Sequence, residues 1–282
     1  MRKLVYSILT GLFLFSCEEV VVIDVPTSQN LVTVEGWVTN QNENQYIRLT
    51  RSNNFISSEP VPAISDAIVE VQSRSGSPNQ QFTHVENGLY MSNQPFFAPS
   101  NSEFRLIIQL PNGVEIRSKW VTMPELVPLN RLFVDSFEEN DPDDPSQQFQ
   151  VYFPRVIALD PEAKTNYYRW RFFRNGIPYV EPESITIQDD RFFDGNLIPN
   201  NFRSFGYDTG DEMVVQFQSI NKEAFDYLNL LKSQITSLGT SSGTTPAQVN
   251  GNLSIENSEE NKAVLGYFGA VAVSSDTTIV ED

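Results

Sequence analysis

Leu31-Val32-Thr33-Val34-Glu35-Gly36-Trp37-Val38 changes polarity at almost every step. In an extended chain Val32, Val34 and Gly36 fall on one face and Thr33, Glu35 and Trp37 on the other, the period-two pattern of a half-buried strand. Similar stretches follow at Tyr46 to Arg51, Ala67 to Gln72, Phe82 to Val85, Gly88 to Met91, Phe104 to Leu110 and Val114 to Val121. Asn-, Ser-, Gly- and Pro-rich breaks separate them, and Pro111-Asn112-Gly113 suits a hairpin turn because Asn and Gly tolerate positive φ. Seven short strands with no helix between them specify an immunoglobulin-like β-sandwich over residues 31–123.

Met123-Pro124-Glu125-Leu126-Val127-Pro128 interrupts the pattern with two prolines, so residues 124–130 read as an extended linker. The remainder, 131–282, reads as a second β-rich module with one amphipathic helix. Strands are expected at Leu132 to Phe137, Phe149 to Leu159, Tyr167 to Arg174, Met213 to Ser219 and Ala263 to Val273. The helix is expected near 222–238, capped by Asn221 and stopped by Gly239, with Ala224, Leu228, Leu231, Ile235 and Leu238 forming one apolar stripe. In Tyr167-Tyr168-Arg169-Trp170-Arg171-Phe172-Phe173, alternation sends Tyr168, Trp170 and Phe172 into the core. It leaves Arg169 and Arg171 on the other face, to pair with acids or to lie across an aromatic platform for a ligand or partner.

Composition bounds the chemistry. The 282 residues are 40% hydrophobic and 20% charged, as in a globular chain long enough for two cores. Thirty-six acids against 19 bases give a net charge of −17, which argues against binding nucleic acid. Residues 18–125 carry 12 acids and 6 bases, net −6, and residues 126–282 carry 24 and 11, net −13. With one histidine, His84, most zinc sites and Ser-His-Asp engines are out of reach, and His84 itself reads as a structural residue of an edge strand. No phosphate-cradling glycine loop occurs, and Gly239-Thr240-Ser241-Ser242-Gly243 lacks the following apolar helix that a nucleophile elbow requires, so no cofactor and no enzymatic activity are expected.

The amino terminus carries an address. Arg2 and Lys3 precede an apolar run from Leu4 to Phe15, too short to span a bilayer, and Ser16 is followed by Cys17, the chain's single cysteine. Leu14-Phe15-Ser16-Cys17 resembles the lipobox of bacterial lipoproteins, which implies a signal peptide at 1–16, acylation of Cys17 and a lipidated tether at 17–30. Glu18 and Glu19 resemble the acidic signal that sends such lipoproteins to the exterior face of the outer membrane.

Two acidic stretches qualify as cation ligands in principle. Asp141, Asp143 and Asp144 alternate with prolines, which suits a solvated turn better than a calcium site. Asp189, Asp190 and Asp194 with Gly195 lack the alternating ligands and terminal glutamate of an EF-hand, so no metal site is expected. The stretch richest in interface-type residues is Arg191, Phe192, Phe193, Phe202, Arg203, Phe205 and Tyr207, a candidate surface for a protein partner or a glycan, or alternatively a cap over the sandwich.

From the lipobox onward the chain resembles a Bacteroidota lipoprotein family called domain of unknown function 4249. The resemblance rests on Leu31 to Val38, Val121-Thr122-Met123-Pro124, Tyr167 to Phe172, Phe193-Asp194-Gly195, Gly210-Asp211-Glu212, Phe225-Asp226-Tyr227, Val249-Asn250-Gly251-Asn252 and Leu265-Gly266-Tyr267-Phe268. It implies a surface lipoprotein working beside a TonB-dependent outer-membrane transporter, and it implies no catalytic residues. The expectation is therefore a non-catalytic, lipid-anchored outer-membrane accessory in substrate capture or retention. Its alternatives are a free-standing glycan-binding or adhesive protein and a carboxylate-based hydrolase.

Overall fold

A computed structural model describes residues 30–53, 60–76, 79–141, 144, 146–181, 184–200, 202–237, 249–256 and 263–281. Cys17 and its tether, except for Asn30, lie outside the described residues. Among the described residues no helix is long and apolar enough to cross a membrane.

The chain is mostly β, with sandwich-like layers. In the first region β1 (Val32–Thr39) pairs with β2 (Tyr46–Arg51), and the sheet continues through β5 (Leu89–Ser92), β4 (Gln80–Glu86), β3 (Ile68–Ser73), β6 (Glu103–Gln109) and β7 (Glu115–Ser118) to β15 (Leu253–Glu256). A short β8 (Val121–Thr122) flanks β6. The expected turn at 111–113 is present, with Gly113 at φ +84°. The apolar faces of these strands converge on Val34, Leu49, Leu106, Ile108 and Ile116, all without solvent exposure. His84 lies on β4, which is flanked by β5 and β3 and so is an interior strand, contrary to the edge position expected. Its Nε2 accepts the Gly88 amide at 3.3 Å, and its ring meets Tyr90 edge-on.

The second region is built on β11 (Tyr167–Arg174), β14 (Glu212–Ile220) and β16 (Leu265–Ile279), with β12 (Ile177–Pro178) and β13 (Thr186–Asp189) on the far side of β11. A separate hairpin, β9 (Leu129–Asn140) and β10 (Gln148–Ala158), belongs to its own two-stranded sheet. Leu132 and Val156 of the hairpin join the core of Tyr168, Trp170, Phe172, Val215 and Phe217. Two hydrogen bonds fasten β9 to β16: Leu129 N–H to Ser274 Oγ at 2.9 Å and Leu132 N–H to Asp276 Oδ2 at 3.0 Å.

Strand β16 crosses the division drawn at 124–130. Its first half runs parallel to β1, Val34 opposite Gly266 and Val38 opposite Ala270, and its second half runs antiparallel to β14. Phe268, Ala270 and Ala272 complete the first core although sequence order places them in the second module. A local lock accompanies the return. Asn252 Nδ2 donates to Phe268 O at 2.7 Å while its Oδ1 accepts Phe268 N–H at 3.0 Å. Gly251 packs so tightly on Gly266 that a Cβ would sit 1.6 Å from the Gly266 carbonyl oxygen.

The helix α1 (Lys222–Ser237) lies on the outer face of the sheet. Asn221 caps it, its Oδ1 accepting Ala224 N–H at 2.9 Å. Ala224 and Leu228 are buried with Tyr267, Val271 and Val273, but Leu231 and Ile235 are only half-buried, so the stripe packs at its amino-terminal end alone. Leu238 and Gly239 lie outside the described residues.

Candidate functional site

The stretch 191–207 is mostly core rather than contact surface. Phe193, Phe202, Phe205 and Tyr207 are at most 7% exposed and belong to the cluster around Trp170. Phe202 meets Trp170 at 5.0 Å and Phe205 stacks on Phe172 at 3.9 Å between ring centroids. The physical reason is that β11, β14 and β16 form a sheet whose inner face needs a lid, and this irregular segment, with the β9–β10 hairpin, supplies it. Three residues remain outside: Arg191, ion-paired with Asp189 at 2.9 Å; Phe192, 90% exposed; and Arg203, set over the rings of Phe137 and Phe153.

The acids sort differently from their sequence order. Asp160, Asp190 and Asp194 bring carboxylate oxygens within 4.8 Å of one another. Each already has a protein donor. Asp160 takes the Tyr168 hydroxyl and Gly195 N–H, Asp190 takes Asn166 N–H at 2.5 Å, and Asp194 takes Ala163 N–H at 3.0 Å. Burial, and then the bond to Asp160, pushes the Tyr168 phenol well above its usual range. The arrangement is a lock on the 160–166 and 190–196 loops. Asp144 likewise closes its own turn, accepting from Ser146 and Gln147, while Asp143 is outside the described residues.

The outer face of the sheet carries a different chemistry. Beyond the edge of α1, Arg169 and Arg171 of β11, Gln216 and Gln218 of β14, and Glu35 and Trp37 of β1 line a groove of about 490 Å³. Strand register sets the floor, with Arg169 opposite Gln218 and Arg171 opposite Gln216. The Trp37 ring lies against Gly269, where any Cβ would fall 2.1 Å from a ring carbon. The Arg169 guanidinium sits 5.2 Å from the Trp37 ring centroid, and that of Arg171 5.1 Å from Phe173. Among the described residues neither arginine makes a hydrogen bond or an ion pair, although Glu35 influences both electrostatically. Burial and the charge of Arg171 pull Arg169 down to about 10, so it remains protonated at neutral pH. Gln218 is 4% exposed; its Nε2 donates to Gln216 Oε1 at 3.2 Å and its Oε1 has no partner. Alternation placed the two arginines on this face, but Gln216, Gln218 and Trp37 were legible only as outward residues of separate strands.

A family model described as Domain of unknown function (DUF4249) matches residues 18–277. The chain belongs to that family. No curated protein matches it.

Much of what made the family recognisable holds the fold together. Asn252 and Gly251 clasp Gly266 and Phe268, and Tyr227 stacks on Tyr267 at 4.8 Å. Asp211 accepts Asp208 N–H at 2.8 Å, Asn175 Nδ2 at 2.7 Å and Arg174 Nε at 2.6 Å. Burial acts to raise the Asp211 carboxyl, but these donors hold it below the usual carboxylate range. Within the Tyr167 to Phe172 motif only the arginines face the groove.

Proposed function

We propose that the protein is a non-catalytic, lipid-anchored binding protein of the outer-membrane surface that captures a polar ligand in the groove over Arg169 and Arg171 and serves a TonB-dependent transporter. The observation that carries the reading is a recessed floor in which, among the described residues, the Arg169 and Arg171 guanidinium groups have no hydrogen-bond or ion-pair partner and Gln218 Oε1 has none either. Side chains of that kind hold ligands by hydrogen bonding, and they offer no nucleophile paired with a base. Anchoring is supported by the Leu14 to Cys17 lipobox and the transporter by the family resemblance. A partner surface is best sought at Phe192, an aromatic side chain almost wholly in solvent.

Affinity purification from mild-detergent membranes, through a tag after Asp282, tests the partnership. A stoichiometric barrel protein is expected, lost in Phe192→Ala. Elution of the protein alone would remove the accessory role and favour the free-standing glycan binder. Labelling with a fatty-acid probe tests the anchor: acylation is expected for the wild type and none for Cys17→Ala.

A further inference from the structure

We infer that the ligand of this groove bears an oxyanion, a carboxylate or a sulfate or phosphate ester, gripped by Arg169 and Arg171. The inference rests on the reading of the groove as a binding site and names the chemistry it selects.

The first argument is the distribution of partners. Acids outnumber bases by 36 to 19, and Arg74, Arg117, Arg155, Lys164, Arg174, Arg191 and Lys222 all reach a carboxylate. Arg169 and Arg171 are among the bases that do not, although they are half-buried and sit on one face of one strand, where the charge of Arg171 disfavours that of Arg169. Two like charges held together and partly stripped of water are unfavourable unless a counter-charge arrives. Glu35, the nearest acidic influence, is exposed and forms no ion pair among the described residues.

The second argument is geometric. Residues two apart on a strand lie about 7 Å apart, so two planar guanidinium forks can enclose one oxyanion or take two anionic groups of one ligand. Arginine meets such groups through paired N–H bonds, which lysine could not reproduce. The third is the amide floor. A buried acceptor without a partner is rare in folded proteins and calls for an external donor. Gln218 Oε1 is such an atom, opposite Arg169 in the sheet, so hydroxyl or amide groups beside the anion would complete the floor.

Calorimetric titration of the full-length, detergent-solubilised protein distinguishes the possibilities. The probes are oligogalacturonate, its fully methyl-esterified form, inorganic sulfate and inorganic phosphate. At least one oxyanion probe is expected to bind in the millimolar range or tighter, and the methyl ester not to bind. Arg169→Met and Arg171→Met should each weaken binding about tenfold or more, and Arg171→Lys by less, since it keeps the charge and loses the fork. Unchanged circular dichroism and melting show that the variants fold, and should a methionine variant fail to fold, the lysine variant carries the comparison. Carboxylate-only binding identifies a uronate-like ligand, and sulfate or phosphate binding an ester. Equal affinity for acid and ester, abolished by Gln216→Leu, would overturn the oxyanion assignment while sparing the groove as a site. Anion binding indifferent to both arginine substitutions, or no binding of any probe, would overturn the assignment and remove the groove's support as well.

Discussion

Strand β11 presents two faces that obey different rules. Inward, Tyr168, Trp170 and Phe172 are sealed among Phe202, Phe205 and Phe217, with ring centroids as close as 3.9 Å. Outward, Tyr167 is covered by Phe225 of α1, while Arg169 and Arg171, one and two outward positions further along, are half-buried and line the groove instead. One face spends its side chains on packing; the other holds charge where packing would have been cheaper.

Substitutions on the two faces should separate sharply. Trp170→Ala removes a ring with no exposure, stacked 4.2 Å from Phe217 and donating to Gln188 at 2.8 Å, and should destabilise by about 3–5 kcal/mol in denaturant unfolding. If the loss were no larger than for an outward residue, the inward core assignment would fail. Tyr168→Phe leaves Asp160 without its hydroxyl donor and should cost about 1–3 kcal/mol. Asn221→Ala, which strips the cap from α1, should cost about 1 kcal/mol and be detectable as a lowered melting temperature. Arg169→Met keeps most of the apolar stem and should shift stability by less than about 1 kcal/mol while weakening anion binding about tenfold or more; a large stability loss would mean that the arginine is structural.

Acid supplies another lever. Asp211 has a folded-state pKa below its unfolded value, so it stabilises the fold above the ordinary carboxylate range. That contribution is lost as pH falls through the depressed value, in the window below about pH 4. Asp211→Asn should therefore flatten the acid limb of a stability–pH profile and leave its neutral-to-alkaline limb unchanged in slope.

How far these features could be read beforehand depended on whether they were local. The alternation of β1 and β11, the Asn-Gly turn and the Asn221 cap are set by neighbouring residues, and they appear where the sequence puts them. Leu253–Glu256 and Thr186–Asp189 are four-residue strands with no alternation long enough to detect, and they exist because β7 and β11 offer them an edge. The burial of Phe193, Phe202, Phe205 and Tyr207 depends on a sheet and a hairpin distant in sequence, so an irregular aromatic stretch resembled a contact surface until its neighbours were known. Leu231 and Ile235 illustrate the converse: perfect helical spacing guarantees a common face, but not that all of it is fully covered.

The shared strand β16 also imposes an order in time. A chain leaving the ribosome makes β1 long before its parallel neighbour, so the first core waits for Phe268, Ala270 and Ala272. Until then β1 keeps an unpaired edge, a known invitation to aggregation, and closing it requires one of the longest loops in the molecule. A chain lacking β16 would thus fail in both halves at once. Neither half closes until that one strand is in place.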